Sequence, residues 1–265
     1  MRKISLTNGR VAVEILPDCG GAISVLRWIA PDHTACDLLR PACKEDIQAR
    51  HAPGMSCIPL SPFIHTDRTQ DDPAEWTVQD ASNIRATLTL HTETGGTDGP
   101  AASCQLLQRF ELSPDGLRLQ LTITNIGVRP LPVRAGLRLR PELRGECLLR
   151  GAISHMDGPD QNRDLTPATL SAGYRLGTQA LHVRLHQLRR DIRLEWPEEK
   201  MALSISPLQG FDIIGLDYSP AEREFSLTPL SDIPASAGDG PGGRLLQQGD
   251  SLSAALLLSP VSLAV

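Results

Sequence analysis

Between residues 10 and 258 the sequence keeps returning to one pattern: short runs of alternating apolar and polar residues, closed by glycine or proline. Successive side chains of an extended strand point to opposite faces, so such a run buries one face and wets the other. Residues 10–16 read R-V-A-V-E-I-L, and residues 84–91 read I-R-A-T-L-T-L-H. Residues 105–112 and 117–125 repeat the pattern on either side of Ser113-Pro-Asp-Gly116. That turn reads as a hairpin, because proline presets φ and glycine accepts positive φ. Further strands are expected over 133–139, 191–196, 201–206, 211–218, 224–228 and 251–258. The 21 prolines and 22 glycines punctuate these runs. Only residues 46–52 suggest helix, as one short turn. Residues 92–102 and 236–243 read as loops. The apolar C-terminal stretch from Ser251 reads as a buried strand pair, below the roughly 20 residues of a membrane helix. Many short strands with Gly/Pro turns predict an all-β sandwich of mainly antiparallel sheets. No linker divides the chain, so residues 1–265 are expected to form one domain.

Several function classes are disfavoured by composition. A net charge of −5 lacks the basic footprint of nucleic-acid binding. The N-terminus has no long apolar segment of the kind that opens a secretory signal, so the expected location is the cytoplasm, with no membrane partner. Six cysteines at irregular spacing, with no CxxC pair, point to buried free thiols rather than disulfides or structural zinc. Cys57 lies beside the PLSPF segment and is a nucleophile in principle only. No GxSxG, HExxH, P-loop or GxGxxG element appears. No metal or cofactor is implied. Aromatic residues are few, so a stacking platform for any ligand rests on Trp28, Trp76 or Trp196.

Seven short segments follow one another in a familiar order. They are Pro17-Asp-Cys-Gly-Gly-Ala-Ile-Ser-Val-Leu26, Asp37-Leu-Leu-Arg-Pro41 and Ile58-Pro-Leu-Ser-Pro-Phe63, then PVRAGLRLRPEL at 132–143 and IRLEWP at 192–197. FSLTPLSDIPASA at 225–237 and LQQGDSL at 246–252 complete the set. Together they resemble the aldose 1-epimerase (galactose mutarotase-like) family over nearly the whole chain. The resemblance implies a β-supersandwich with a sugar bound in a concave cleft of one sheet. It also implies opening and reclosing of a hemiacetal, with a Glu as base and a His as acid.

The segments that resemble the family depart from it at those two positions. The glutamate position reads Thr228, which cannot serve as that base. The histidine position reads Arg140, whose guanidinium stays charged at neutral pH and cannot cycle a proton. Arg68 corresponds to a sugar-contacting arginine, and the stretch that carries a further family histidine is shortened between Arg68 and Trp76 and holds no histidine. Two expectations stay open. In one, the acid–base groups are relocated: Glu224 or Asp232 supplies a carboxylate, and His65 or His155 an imidazole. In the other, the chain binds a sugar without turning it over. Arg134, Arg138 and Arg140 alternate along one strand face, and guanidiniums in a cleft would favour an anionic sugar such as a uronate or sugar phosphate. The plainer reading of that face is a solvated arginine stripe paired with acidic neighbours. Substrate contacts are thus expected from Arg68, Trp76, Arg138, Arg140 and Thr228. A non-catalytic partner protein that keeps only the scaffold is the third alternative.

Overall fold

The structure is a computed structural model that describes residues 1–30, 33–43, 57–60, 75–96, 99–158, 164–231 and 244–263, with backbone alone at 57–60, 93–96 and 99–102. The expected helical turn at 46–52 and the loop at 236–243 lie outside these residues. In chain order the first strands are β1 (Ile4–Thr7), β2 (Val11–Leu16), β3 (Ala22–Ile29), β4 (Ala35–Asp37), β5 (Cys57–Leu60), β6 (Thr77–Ala81), β7 (Arg85–Gly96), β8 (Gly99–Ser113) and β9 (Gly116–Asn125). Next come β10 (Leu131–Val133), β11 (Gly136–Leu139), β12 (Leu148–Gly151), β13 (His155–Asp157), helix α1 (Pro167–Ala172), β14 (Tyr174–Arg175) and β15 (Leu181–His186). The chain closes with β16 (Ile192–Trp196), β17 (Met201–Gln209), β18 (Ile213–Ser219), β19 (Glu224–Leu230), β20 (Arg244–Leu246) and β21 (Ser251–Ser262).

These strands form two large antiparallel sheets, the all-β sandwich expected from the alternation. One has ten strands in the order β1-β2-β3-β5-β11-β19-β18-β15-β13, with β4 beside β3. The other has nine, in the order β14-β12-β16-β17-β21-β9-β8-β7-β6. Alternation explains the layering. In β15, Leu181, Val183 and Leu185 are buried while His182 and Arg184 are exposed. In β9, Leu117, Leu119, Leu121 and Ile123 are buried and alternate with polar residues. The buried sets of both sheets join one hydrophobic cluster, which is the core of the sandwich. Each fully buried leucine contributes on the order of 1.5–3 kcal/mol.

The Ser113–Gly116 turn forms as expected, joining β8 to β9 with Ser113 opposite Gly116. Gly116 sits at φ 137, and a β-carbon there would stand 2.1 Å from the Leu258 carbonyl oxygen. The Gly-Gly pair of the first motif has a structural role too. Gly20 caps a 3-10 turn at Pro17–Cys19, and a β-carbon on Gly21 would meet Gln108 Oε1 at 2.3 Å. The motif thereby lets the turn press against the opposite sheet.

Four expectations need correction. The run over 133–139 is not one strand. β10 pairs with β20 in a separate two-stranded sheet, while β11 joins the ten-stranded one. The break is held by Ser231, whose Oγ accepts the Ala135 N–H at 2.9 Å and whose N–H donates to the Ala135 carbonyl at 2.9 Å. Arg134 therefore lies in the break and does not share a strand with Arg138. Second, the C-terminal stretch is one strand, β21, spanning Ser251–Ser262 between β17 and β9, rather than a pair. Third, the stretch 92–102 is mostly ladder: β7 runs to Gly96 and β8 starts at Gly99. Fourth, the free thiols are not all buried. Cys19, Cys104 and Cys147 are, but Cys36 is half-buried and Cys43 exposed. Burial pushes the Cys104 thiol up to about 11.

Candidate functional site

The ten-stranded sheet keeps its apolar side chains for the core and turns a polar face outward. Leu137, Leu139, Leu216, Phe225 and Leu227 belong to the core cluster, so their neighbours along β11, β18 and β19 face away from it. The β11–β19 register sets Gly136 opposite Leu230 and Leu139 opposite Leu227, which puts Arg138 beside Thr228. The ladder continues outward: Thr228 opposite Gly215, Gly215 opposite Arg184, and Arg184 opposite Asp157. A parallel row carries Ser226, Asp217 and His182. His182 Nδ1 and Asp217 Oδ1 are in close hydrogen-bond contact on this row. Gly215 leaves the middle of the face without a side chain, and a β-carbon there would only touch Thr228 Cβ at 3.5 Å. The result is a shallow place flanked by Thr228, Arg184, Arg138 and Asp217.

Thr228 on β19 and Arg140, just past the end of β11, are both buried, at 7% and 8% exposure. Thr228 Oγ1 and Arg138 Nε are buried without a hydrogen-bond partner among the described residues. Buried polar atoms of this kind are costly unless something satisfies them. The segment containing Arg40 runs beside that of Arg140. The Arg40 N–H donates to the Arg140 carbonyl at 2.8 Å, and Leu39 bridges Pro141. A pocket of about 370 Å³ opens here, lined by Arg40, Arg140, Glu142, Glu222, Arg223 and Glu224 among others. Two of the family-like segments, DLLRP and PVRAGLRLRPEL, thus meet at one pocket.

The remaining candidates separate. Glu224 lines that pocket but is held by Arg40, whose Nη1 lies 3.1 Å from its Oε1. Both side chains are well exposed, so the pair contributes little stability. Trp76 is placed elsewhere. It is 2% exposed in the core, its N–H donating to the Pro17 carbonyl at 3.0 Å. Trp28 and Trp196 are likewise buried, and the Trp196 indole N–H donates to the Glu142 carbonyl at 3.1 Å. None of the three presents an open aromatic platform. His155 lies on β13 at the far side of the sheet, its ring centroid 5.5 Å from that of His186. His65, Arg68 and Asp232 lie outside the described residues, as does the side chain of Cys57. The sequence reading missed His182, Arg184 and Asp217. The signal was present in L-H-V-R-L-H at 181–186, where every second residue is cationic or imidazole. Among the described residues no group of three or more His, Cys, Asp or Glu could hold a metal ion.

No family model matches the sequence, and no curated protein matches it. Solved structures do. A putative aldose 1-epimerase from Escherichia coli K12 superposes with a TM-score of 0.76 at 19% identity, covering 99% of each chain. A galactose mutarotase-like protein from Lactobacillus casei gives 0.72 at 16% identity, covering 98% of this chain and 100% of the other. The chain has the galactose mutarotase-like fold. An aldose epimerase homologue from C. elegans extends the likeness, with a TM-score of 0.73 at 12% identity over 99% of both chains. The galactose mutarotase-like architecture expected from the seven ordered segments is therefore the observed one. At such identities the likeness carries the fold, and the chemistry has to be read from the residues.

Proposed function

We propose that this chain is a carbohydrate-binding, aldose 1-epimerase-like protein that holds an aldose against the outer face of the ten-stranded sheet without opening its ring. The supporting observation is two side chains at that sheet, Thr228 on β19 and Arg140 just past the end of β11. Arg140 and Thr228 are both buried there, and neither can exchange a proton at neutral pH: guanidinium does not release one, and a threonine hydroxyl does not accept one. Hydrogen bonding remains available. Thr228, Arg138, Arg184 and the His182–Asp217 pair surround the place left open at Gly215, and sugar hydroxyls need donors and acceptors of this kind. An aldose hydroxyl would also satisfy the buried Thr228 Oγ1.

A second reading takes an anionic aldose, a uronate or sugar phosphate, at the same face. The observation that favours it is the gathering of Arg40, Arg140 and Arg223 at one pocket. Against it stand Glu142, Glu222 and Glu224 on the same lining, one of them paired with Arg40. The neutral sugar is therefore the first choice. Amide chemical-shift mapping tests it. D-Galactose or D-glucose is expected to shift resonances of β11, β18 and β19 saturably, and Gly215→Val, which fills the open place, to abolish those shifts. Shifts confined to other strands would overturn the placement.

A further inference from the structure

A larger cavity, of about 750 Å³, lies two strands away from Thr228, at the end of β15 and β18. Its volume falls in the range of about 300–1,000 Å³ typical of small-molecule sites. Two irregular segments build its walls. On one side β15 stops at His186, and Gln187 reverses the chain at φ 51. The following turn is pinned by Arg189, whose N–H donates to the Ala152 carbonyl at 2.8 Å and whose Nε donates to Ser154 Oγ at 3.2 Å. On the other side β17 carries a bulge between Pro207 and Gln209. Bulges and strained turns of this kind concentrate at functional sites.

The chemistry of the lining is uneven. Arg189 and Arg190 both face the cavity, and Arg190 makes no polar contact among the described residues. The adjacent carboxylate does not neutralise them. Asp191 is bonded to Arg193 Nε at 2.7 Å and accepts a hydrogen bond from Ser204. Burial alone would raise its pKa, but Ser204 and Arg193 outweigh that and lower it, so its charge is taken up by Arg193. Asp212 is also part of the lining. Next to the arginines, His186 Nε2 is held by Asp157 Oδ2 at 2.9 Å, and the His155 ring lies against it at 5.5 Å. The Asp157 contact orients the His186 ring and leaves Nδ1 for a ligand. Phe211 and Leu188 supply apolar lining, and Leu208 stands half exposed at the rim.

We propose that this cavity is a second binding site, for a small molecule that joins a phosphate or carboxylate group to an uncharged body. Arg189 and Arg190 take the anionic group in charge-assisted hydrogen bonds. His155 and His186 bind its hydroxyls, and Leu188, Leu208 and Phe211 cover the less polar side of the body. This site is separate from the aldose face at β11, β18 and β19 and does not depend on it.

Calorimetric titration of the full chain with four probes tests the assignment: D-glucose 6-phosphate, D-glucuronate, inorganic phosphate and D-glucose. One of the two anionic sugars is expected to bind saturably and to shift the imidazole resonances of His155 and His186. It should bind at least about tenfold more tightly than inorganic phosphate, which lacks the body. Arg189→Gln/Arg190→Gln should weaken that binding by at least about tenfold, equivalent to about 1.4 kcal/mol. Arg190→Gln alone, at an exposed side chain with no described partner, guards against loss of fold and should weaken it in the same direction. Neutral D-glucose at the β11–β19 face should be unaffected by either variant, so failure of one site is distinguishable from failure of the other. Binding of neither anionic sugar, equal affinity in the arginine variants, or inorganic phosphate binding as tightly as the sugars would overturn the proposal.

Discussion

Two side chains carry the proposed reading of the ten-stranded sheet. Arg140 and Thr228 occupy the positions where the resemblance implies an acid and a base, and both are buried, Thr228 on β19 and Arg140 just past the end of β11. Their substitution was legible in the sequence because each sits inside a recognisable segment. That Thr228 would lie beside Arg138 was not legible, since residues so far apart are brought together by register alone. The same scale shows how the N-terminus is anchored. Asp18 receives the Arg2 backbone N–H at 2.6 Å and the Arg2 Nε at 2.7 Å. These hydrogen bonds outweigh burial and hold the Asp18 carboxyl below its ordinary 3.8. A carboxyl lowered in the folded state stabilises the fold above its unfolded pKa and loses that contribution as pH falls through the folded value. Asp18→Asn is therefore expected to lower the urea midpoint at pH 7. The gap to the parent should shrink as the pH drops below 3.8. A gap that stays constant down to strongly acid pH would show that the Arg2–Asp18 pair has no such role.

At the scale of elements, strand existence was readable and strand pairing was not. β2, β7, β8, β9, β16, β17, β18, β19 and β21 all coincide with the expected runs; β9 shows the one-faced burial behind them, while β17 is buried on both faces from Met201 to Ile205. The split between β10 and β11 was invisible for a physical reason. The alternation V-R-A-G-L-R-L runs straight through it, while the partner strand changes from β20 to β19 and β5. The single described helix, α1, was overlooked although Thr166-Pro-Ala-Thr169 announces it. Thr166 accepts the Thr169 N–H at 3.1 Å, the Thr169 hydroxyl accepts the Thr166 N–H at 2.8 Å, and Pro167 opens the helix. A helix of 6 residues cannot show a 3.6-residue period, so only its cap could betray it. Thr166→Ala is expected to cost about 0.5–2 kcal/mol in chemical unfolding, the usual loss for an N-cap. Little or no change would mean that α1 is held by Leu170 packing alone. That His155, Asp157 and His186 would gather had no local signal. His155 and Asp157 sit on a three-residue strand, and only its pairing with β15 brings His186 to them.

For the whole molecule, the sandwich and the chemistry have different origins. The core of both sheets follows from alternation and from the turn glycines, and its likeness to aldose epimerase structures extends over nearly the full length. The polar face is free to vary, because its side chains add little to the core. A fold of this kind can therefore keep its core while the groups on that face change. The most direct measurement is polarimetry of freshly dissolved α-D-galactose and α-D-glucose with the protein, run beside a binding titration on the same sample. Saturable binding, with optical rotation relaxing no faster than in buffer, is the expected result. Acceleration that scales with protein concentration and is lost in the Arg140→Ala/Thr228→Ala variant would contradict the account, because it would place proton transfer on the two residues least able to perform it.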